Sequence, residues 1–149
     1  MKKILGSIVV TICAILVVGC GSEKTLNCSK DFSSSMPSGV KMTQEAETKF
    51  KGNKIDTLTM VMKFELSESY ASNMDTLVNT MKTTYENQYG KYDGVEVKAE
   101  KVSDLTFNVV ITMNYKNISD SDKKSLNLSG SESYSVNKKD LENQGYTCK

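Results

Sequence analysis

The chain of 149 residues contains no histidine, no tryptophan and no arginine. Histidine is the commonest general base and metal ligand in proteins, so its absence removes the usual starting point for acid–base catalysis or metal binding. Without arginine, no side chain recognises phosphate or carboxylate through a planar guanidinium group. All 19 basic residues are therefore lysines, and 18 acidic residues balance them. This balance is atypical of nucleic-acid-binding proteins, and we expect no nucleic acid partner.

An apolar segment begins after two lysines at the N-terminus and ends at Leu16-Val17-Val18-Gly19-Cys20. This order of basic, apolar and small residues predicts an export signal at residues 1–19, and Val17, Val18, Gly19 and Cys20 match a bacterial lipobox. Cleavage after Gly19 would leave Cys20 to carry a diacylglyceryl group. The alternative is a retained transmembrane helix, but Ile4–Gly19 is shorter than the roughly 20 residues that such a helix uses. We expect a lipid-anchored protein on the extracytoplasmic face of the cell membrane.

The cysteines divide the mature chain. Cys13 leaves with the signal and Cys20 carries lipid, so that Cys28 and Cys148 remain. Exported proteins keep disulfides, and we expect these two cysteines to be bridged, the alternative being two free buried thiols. The predicted organisation is a signal peptide at 1–19, the lipidated cysteine with a short tether at 20–27, and one globular domain at 28–149.

Two hairpins are predicted from alternating apolar and polar residues. In the first, a three-residue loop at Gly52–Lys54 would place Val40 opposite Leu66 and Met42 opposite Phe64, so that the apolar faces coincide.

The second hairpin also requires an odd loop, near Ser103. Such a loop would place Val97 opposite Val109 and Ala99 opposite Phe107.

A long helix is predicted between the hairpins, from about Ser69 to Tyr89. Two short helices, capped by Ser119 and Ser135, are predicted near the C-terminus. The predicted fold class is α+β: an antiparallel sheet of hairpins with the long helix on one face and short C-terminal helices. The inner stripe of the long helix and the strand residues expected beneath it are Met74, Leu77, Val78 and Met81, with Leu58, Met60, Met62, Phe64, Phe107 and Val109.

Three weak motifs do not support a metal or an active site. Met60 and Met62 suggest copper, but alternation points both toward the helix as core residues. Asp120-Ser121-Asp122 lacks the glycine and glutamate that complete a calcium loop, and acidic residues are common at helix N-termini. The S-x-x-K spacing of Ser38 and Lys41 has no companion motif. We expect a non-enzyme with no catalytic residue, metal or cofactor.

The sheet face turned away from the helix is a possible contact surface. Its β-branched residues, with asparagine and lysine, form either a surface for a partner or an ordinary solvated face, since strands favour such residues in any case. The residues concerned are Thr57, Thr59, Val61, Lys63, Thr106, Asn108, Val110 and Thr112.

The lipobox, Cys28 just past the tether, the hairpin followed by a long helix, Tyr92-Asp93-Gly94-Val95 and the tail Gly145-Tyr146-Thr147-Cys148-Lys149 resemble the YehR-like lipoproteins, small bacterial lipoproteins of unknown function. The resemblance implies an α+β fold and an envelope location, and it transfers no active-site residue.

Two functions remain open from sequence. One is a non-catalytic module that binds an envelope protein or a wall component near the membrane. The other is a small-ligand carrier with a pocket between helix and sheet. A solid apolar interface between helix and sheet would favour the first, and a concave polar pocket there would favour the second.

Overall fold

The computed structural model describes residues 23–128 and 133–149, so the predicted signal peptide at 1–19 and Cys20 lie outside the described residues. Six strands and three helices follow one another in these parts of the chain, with short 3-10 turns at Ser33–Ser35 and Glu68–Asn73. In chain order the elements are β1 (Glu23–Asp31), β2 (Val40–Lys51), β3 (Lys54–Leu66), α1 (Met74–Tyr89), β4 (Val95–Lys101), β5 (Thr106–Asn114), α2 (Asp120–Ser125), α3 (Tyr134–Asn143) and β6 (Thr147–Cys148).

All strands form one antiparallel sheet in the order β4-β5-β3-β2-β1-β6. The predicted α+β class is confirmed, because one face of this sheet carries the long helix and the short C-terminal helices complete the fold. Apolar side chains alternate onto the helix face, as the period of two requires. Among the described residues, no helix is long and apolar enough to cross a bilayer.

The first hairpin has the predicted register over most of its length. Val40 lies opposite Leu66 and Met42 opposite Phe64. The loop differs from the prediction, because β2 and β3 pair up to the tip, leaving a tight turn that contains Gly52 in the left-handed region at φ +63°. A β-bulge at Asp56 adds one residue to β3 without a partner on β2. This extra residue replaces the third residue of the predicted loop, and the apolar side chains of the two strands again lie on the same face.

The predicted register of the second hairpin is wrong by two residues. Val97 lies opposite Ile111, and Ala99 lies opposite Val109. The turn sets this offset, because the backbone N–H groups of Val102 and Ser103 both donate to the carbonyl of Thr106, at 2.9 and 3.0 Å. A shift of two residues leaves every side chain on its predicted face, so the apolar pattern does not distinguish the two registers.

The sheet begins earlier than expected. The predicted tether at 20–27 includes Glu23–Asn27, but these residues lie in β1, which pairs with β2 along its whole length. Leu26 is fully buried in this strand. The polar residues around it alternate with Leu26 and Cys28, as in a strand, but the segment is short and follows the predicted lipidation site.

The long helix begins with a 3-10 segment, Glu68–Asn73, where sequence predicted α-helix from Ser69. The Oγ atoms of Ser67 and Ser69 lie 2.9 Å apart and bond to each other, and Ser67 makes no side-chain cap. Serine and asparagine disfavour a regular helical turn because their side chains compete for backbone groups. The α-helical part ends at Tyr89 as predicted, next to Gly90.

The α1 core is the larger of two apolar clusters on the helix face. The predicted partners of α1 belong to it, with Phe64 stacked on Phe107 at a centroid distance of 4.6 Å. Met74 is buried, whereas Leu77, Val78 and Met81 are half-buried against the sheet. Its buried members are Met62, Phe64, Leu66, Met74, Val97, Phe107, Val109, Ile111, Met113 and Ile118.

The α3 core lies at the other side of the same face. Its buried members are Leu26, Cys28, Phe50, Ile55 and Tyr115. Side chains of α3 and of the chain end pack on them: Tyr134, Leu141, Tyr146 and Cys148.

The predicted disulfide between Cys28 and Cys148 is confirmed, and it joins directly opposite residues of β1 and β6 with Cα atoms 4.0 Å apart. The backbone groups of Asn27 and Lys149 exchange hydrogen bonds beside it. This leaves the two cysteines as a non-hydrogen-bonded pair, where side chains of antiparallel strands approach most closely.

The short C-terminal helices are present. Ser119 caps α2 as predicted, its Oγ accepting from the backbone N–H of Asp122 at 3.1 Å. The predicted start of the last helix at Ser135 is wrong, because α3 begins at Tyr134 after Ser133. The ring of Tyr134 packs edge-on against Phe50 at 5.4 Å, and this tertiary contact places the first turn.

Candidate interaction surface

The polar face is defined as the set of sheet side chains that point away from α1. Strand register places all eight residues of the predicted contact surface on this face. Six of them form three directly opposite pairs between β3 and β5, and Thr57 and Thr106 lie at the next alternate position of their strands. The eight residues are Thr57, Thr59, Val61, Lys63, Thr106, Asn108, Val110 and Thr112. All of them are half-buried except Lys63, which is exposed. Their placement confirms the geometry of the prediction, and their use by a partner stays a prediction.

Val61 and Val110 form the apolar centre of the polar face. They are directly opposite each other on β3 and β5, between a Thr59–Thr112 pair on one side and Lys63 on the other. β-Branched side chains in such positions are stiff and present a flat surface. The centre is therefore neutral and weakly apolar, with hydroxyl and amide groups around it.

The sheet forms a shallow depression beside Val61, with a volume of about 360 Å³. Residues of β2 and β3 line it together with residues of β1 and the chain end. The polar lining residues are Asn27, Ser29, Glu45, Glu47, Thr59, Thr147 and Lys149, and the apolar ones are Val61, Cys28 and Ala46. Amides, hydroxyls and two carboxylates thus converge on a concave surface open to solvent.

A second depression, of about 340 Å³, adjoins the first and shares Glu45 with it. Lys63 Nζ lies 2.6 Å from Glu45 Oε1, and this ion pair stands between the two depressions. Lys41 and Glu65 form a longer contact of 3.8 Å in the second one. Because opposite charges alternate here, the polar face has no strong charge of one sign.

Asp31 stands at the rim of the second depression. Hydrogen bonds from the side chain and the backbone N–H of Ser33 hold the pKa of Asp31 below its ordinary value. The backbone N–H of Ser33 donates to Asp31 Oδ1 at 2.7 Å. Asp31 is therefore an anion whose position is set by a local turn.

Sequence reasoning missed the half of the polar face that β1, β2 and β6 supply. The first five residues of β1, Glu23–Asn27, fall in the predicted tether, and β6 is too short to predict. A signal was present, because Leu26 and Cys28 alternate with Thr25, Asn27 and Ser29. The carboxylates of β2 were visible as a charged face, but their contact with β1 depends on pairing between distant residues.

The residues considered as metal ligands lie apart from the polar face. Met62 is buried in the α1 core and Met60 packs half-buried against it, where Gln44 Nε2 lies 3.6 Å from Met60 Sδ. Asp120 and Asp122 belong to the first turn of α2. Residues 23–128 and 133–149 contain no cluster of three or more histidine, cysteine or acidic side chains arranged to hold a metal ion.

Comparison with known proteins finds no matching family model and no matching characterised protein. The fold is similar to the NMR structure of a protein from Streptococcus pneumoniae TIGR4, with a TM-score of 0.53 and 14% sequence identity. The match covers 100% of this chain and 96% of the other. At this identity the likeness concerns the fold alone.

Proposed function

We propose that the chain is a lipid-anchored bacterial envelope protein whose domain binds an envelope protein or a wall component through the polar face. The lipobox ending at Cys20 supports the anchor. Only Gly21 and Ser22 separate Cys20 from β1. The proposal includes no catalytic activity, cofactor, metal or nucleic acid, and the resemblance to YehR-like lipoproteins stays a prediction.

The observation that carries the proposal is the concave, charge-balanced polar face, which no helix within residues 23–128 and 133–149 covers. Both depressions lie on it, and the valine pair at its centre is half-buried and apolar. A groove with an apolar centre and a polar rim has the composition of a protein interaction surface. Its hydroxyl and amide groups also suit the hydrogen-bonding groups of an extended polymer.

The packing of α1 favours this interaction module over a small-ligand carrier. A carrier would need space between helix and sheet, but Met74 is 1% exposed there and Val109 and Ile111 are at most 1% exposed. The α1 core is apolar throughout. Polar groups that would orient a ligand converge on the opposite face instead.

A paired substitution tests the binding surface. Because Val61 and Val110 are directly opposite, two lysines there would repel, whereas Val61→Lys with Val110→Glu places opposite charges together and keeps the sheet intact. Crosslinking in the native envelope followed by mass spectrometry should then recover no specific partner.

The matched control introduces the same two charges on the helices of the other sheet face. Val136 of α3 is 38% exposed, and Asn79 of α1 is exposed. Val136→Lys with Asn79→Glu should leave partner recovery unchanged. Equal recovery from both folded double variants would show that the polar face is not the binding surface.

The anchor has its own test. Cys20→Ala removes the thiol that the predicted lipid modification needs, so metabolic labelling with a fatty acid should stop and the precursor should accumulate. Cys13→Ala, inside the predicted signal, is the matched control and should label normally. Labelling of the Cys20→Ala chain at the normal level would overturn the anchor.

A further inference from the structure

We propose that one end of the sheet, called here the basic end, rests on anionic phospholipid headgroups and holds the domain upright on the membrane. The inference depends on the proposed anchor at Cys20. The basic end comprises the start of β1, the tip of the β2–β3 hairpin and the residues that follow β5. Strand pairing joins these segments, because Glu23 lies opposite Lys51 and the backbone N–H of Tyr115 donates to the carbonyl of Asp56 at 3.0 Å.

The anchor brings this end to the bilayer. Only Gly21 and Ser22 separate Cys20 from Glu23, so the start of β1 lies within about 11 Å of the lipidated residue even if the chain is fully extended. The strands from β1 across to β5 are spaced by about 4.8 Å each. The whole basic end therefore lies within reach of the headgroups, whereas the opposite end is a full strand length away.

Charge is distributed unevenly between the two ends. Five lysines stand at the basic end against three carboxylates: Lys24, Lys49, Lys51, Lys54 and Lys116, with Glu23, Asp56 and Glu47, which pairs with Lys49 at 3.3 Å. At the opposite end, acidic residues outnumber lysines: Asp31, Glu65, Glu68, Asp75, Glu100 and Asp104, with Lys30, Lys41, Lys63 and Lys101. The electrostatic field of an anionic membrane would orient the domain with its basic end toward the bilayer.

Ion pairs at the basic end leave positive charge unneutralised. Asp56 is shared by two lysines, with its carboxylate 3.5 Å from Lys51 Nζ and 3.0 Å from Lys116 Nζ. Lys24 and Lys54 make no ion pair with any residue at 23–128 or 133–149, and both are exposed. Lysine ammonium groups attract anionic headgroups as point charges, and this attraction needs no guanidinium group.

Tryptophan substitutions measure the orientation, because the chain has no tryptophan of its own. Asn53→Trp marks the exposed tip of the basic end, and Ser34→Trp marks an exposed turn at the opposite end. The lipidated full chain is reconstituted in vesicles that carry a dansyl headgroup acceptor. Energy transfer from Asn53→Trp should exceed transfer from Ser34→Trp by roughly threefold or more in vesicles of phosphatidylcholine with 30% phosphatidylglycerol, because the surface lysines hold the basic end at the anionic headgroups.

Three changes should reduce this contrast between the reporters. The first is the use of pure phosphatidylcholine vesicles. The second is salt raised to about 0.5 M, at which charges are screened within a few ångströms. The third is Lys24→Gln with Lys54→Gln in each reporter chain. Lys41→Gln with Lys139→Gln removes the same charge elsewhere and is the matched control. It should preserve the full contrast.

The outcomes separate the two proposals. A contrast that is the same in both vesicle types and in both lysine double variants would overturn the orientation while leaving the anchor in place. Failure of the chain to float with either vesicle type would overturn the anchor and the orientation together. Flotation with a contrast that depends on phosphatidylglycerol supports both.

Discussion

The α1 core and the α3 core lie on the same face of one sheet, but they are held together in different ways. The α1 core joins elements that follow one another along the chain, and a long amphipathic helix covers it. The α3 core joins the first described strand to the last, and a disulfide connects them. Burial of apolar side chains is sufficient to stabilise a core whose elements are neighbours in sequence. A core formed by the two ends of the chain has a larger loop-closure entropy to overcome, and the disulfide reduces this cost.

The largest effect is expected in the α1 core. Phe107 is 3% exposed and stacks on Phe64, so Phe107→Ala removes a ring and leaves a cavity. The free energy of unfolding should fall by about 3–5 kcal/mol, measured by urea denaturation. Asn79→Ala, on the exposed side of α1, is the control and should change it little. Equal midpoints for Phe107→Ala and the wild type would contradict the packing.

Removal of the disulfide should act mainly on the α3 core. The bridge spans a sequence separation of 120 residues. Cys28→Ala with Cys148→Ala should lower the free energy of unfolding by about 2–5 kcal/mol. Hydrogen exchange should show faster exchange in β6 and α3 than in β4 and β5.

A reductant provides the control for this comparison. Dithiothreitol should reproduce the loss in the wild type and add nothing to the double alanine variant. Unchanged protection of β6 and α3 in the reduced protein would mean that apolar packing alone closes the α3 core.

A matched leucine pair sharpens the comparison. Leu77 of α1 and Leu141 of α3 are both half-buried, each against its own core. Each change to alanine should cost about 1–2 kcal/mol, roughly half the loss for a fully buried leucine. The loss in free energy of unfolding caused by Leu141→Ala should differ between the chains with and without the disulfide, because Leu141 packs with the bridged strands. The loss caused by Leu77→Ala should be the same in both chains. A double-mutant cycle in urea measures both, and equal coupling for the two leucines would contradict the separation of the cores.

The smallest effect concerns Asp56, at the basic end where β3 meets β5. A hydrogen bond from Lys116 is the main cause that holds the pKa of Asp56 below its ordinary value of 3.8. Because the pKa of Asp56 is lowered in the folded state, its carboxylate stabilises the protein at pH values above 3.8. This stabilisation is lost as the pH falls through the lowered pKa.

Lys116→Gln should therefore shift the urea midpoint slightly downward at pH 7, and the difference from the wild type should vanish well below about pH 4. Lys124→Gln, a change at an exposed lysine of α2, is the control at both pH values. A difference that persists in acid would assign the effect of Lys116 to packing.

The sequence by itself determined the face on which each strand residue lies. Period-two alternation placed the valines of the polar face away from α1, and the 3.6-residue period selected the inner stripe of the helix. These patterns are local, because they depend only on the geometry of one strand or one helix. The pairing of Cys28 with Cys148 was also visible, since the predicted export signal and lipidation site leave only these two cysteines without another role.

Only the tertiary structure decided the offset of the second hairpin, the membership of Glu23–Asn27 in β1 and the concave shape of the polar face. The offset depends on which backbone groups bond across one turn, and both registers satisfy the apolar pattern equally. β1 becomes a strand because β2 and β6 supply its hydrogen-bond partners from distant parts of the chain. Register and edge pairing are properties of two segments together, and neither segment alone specifies them.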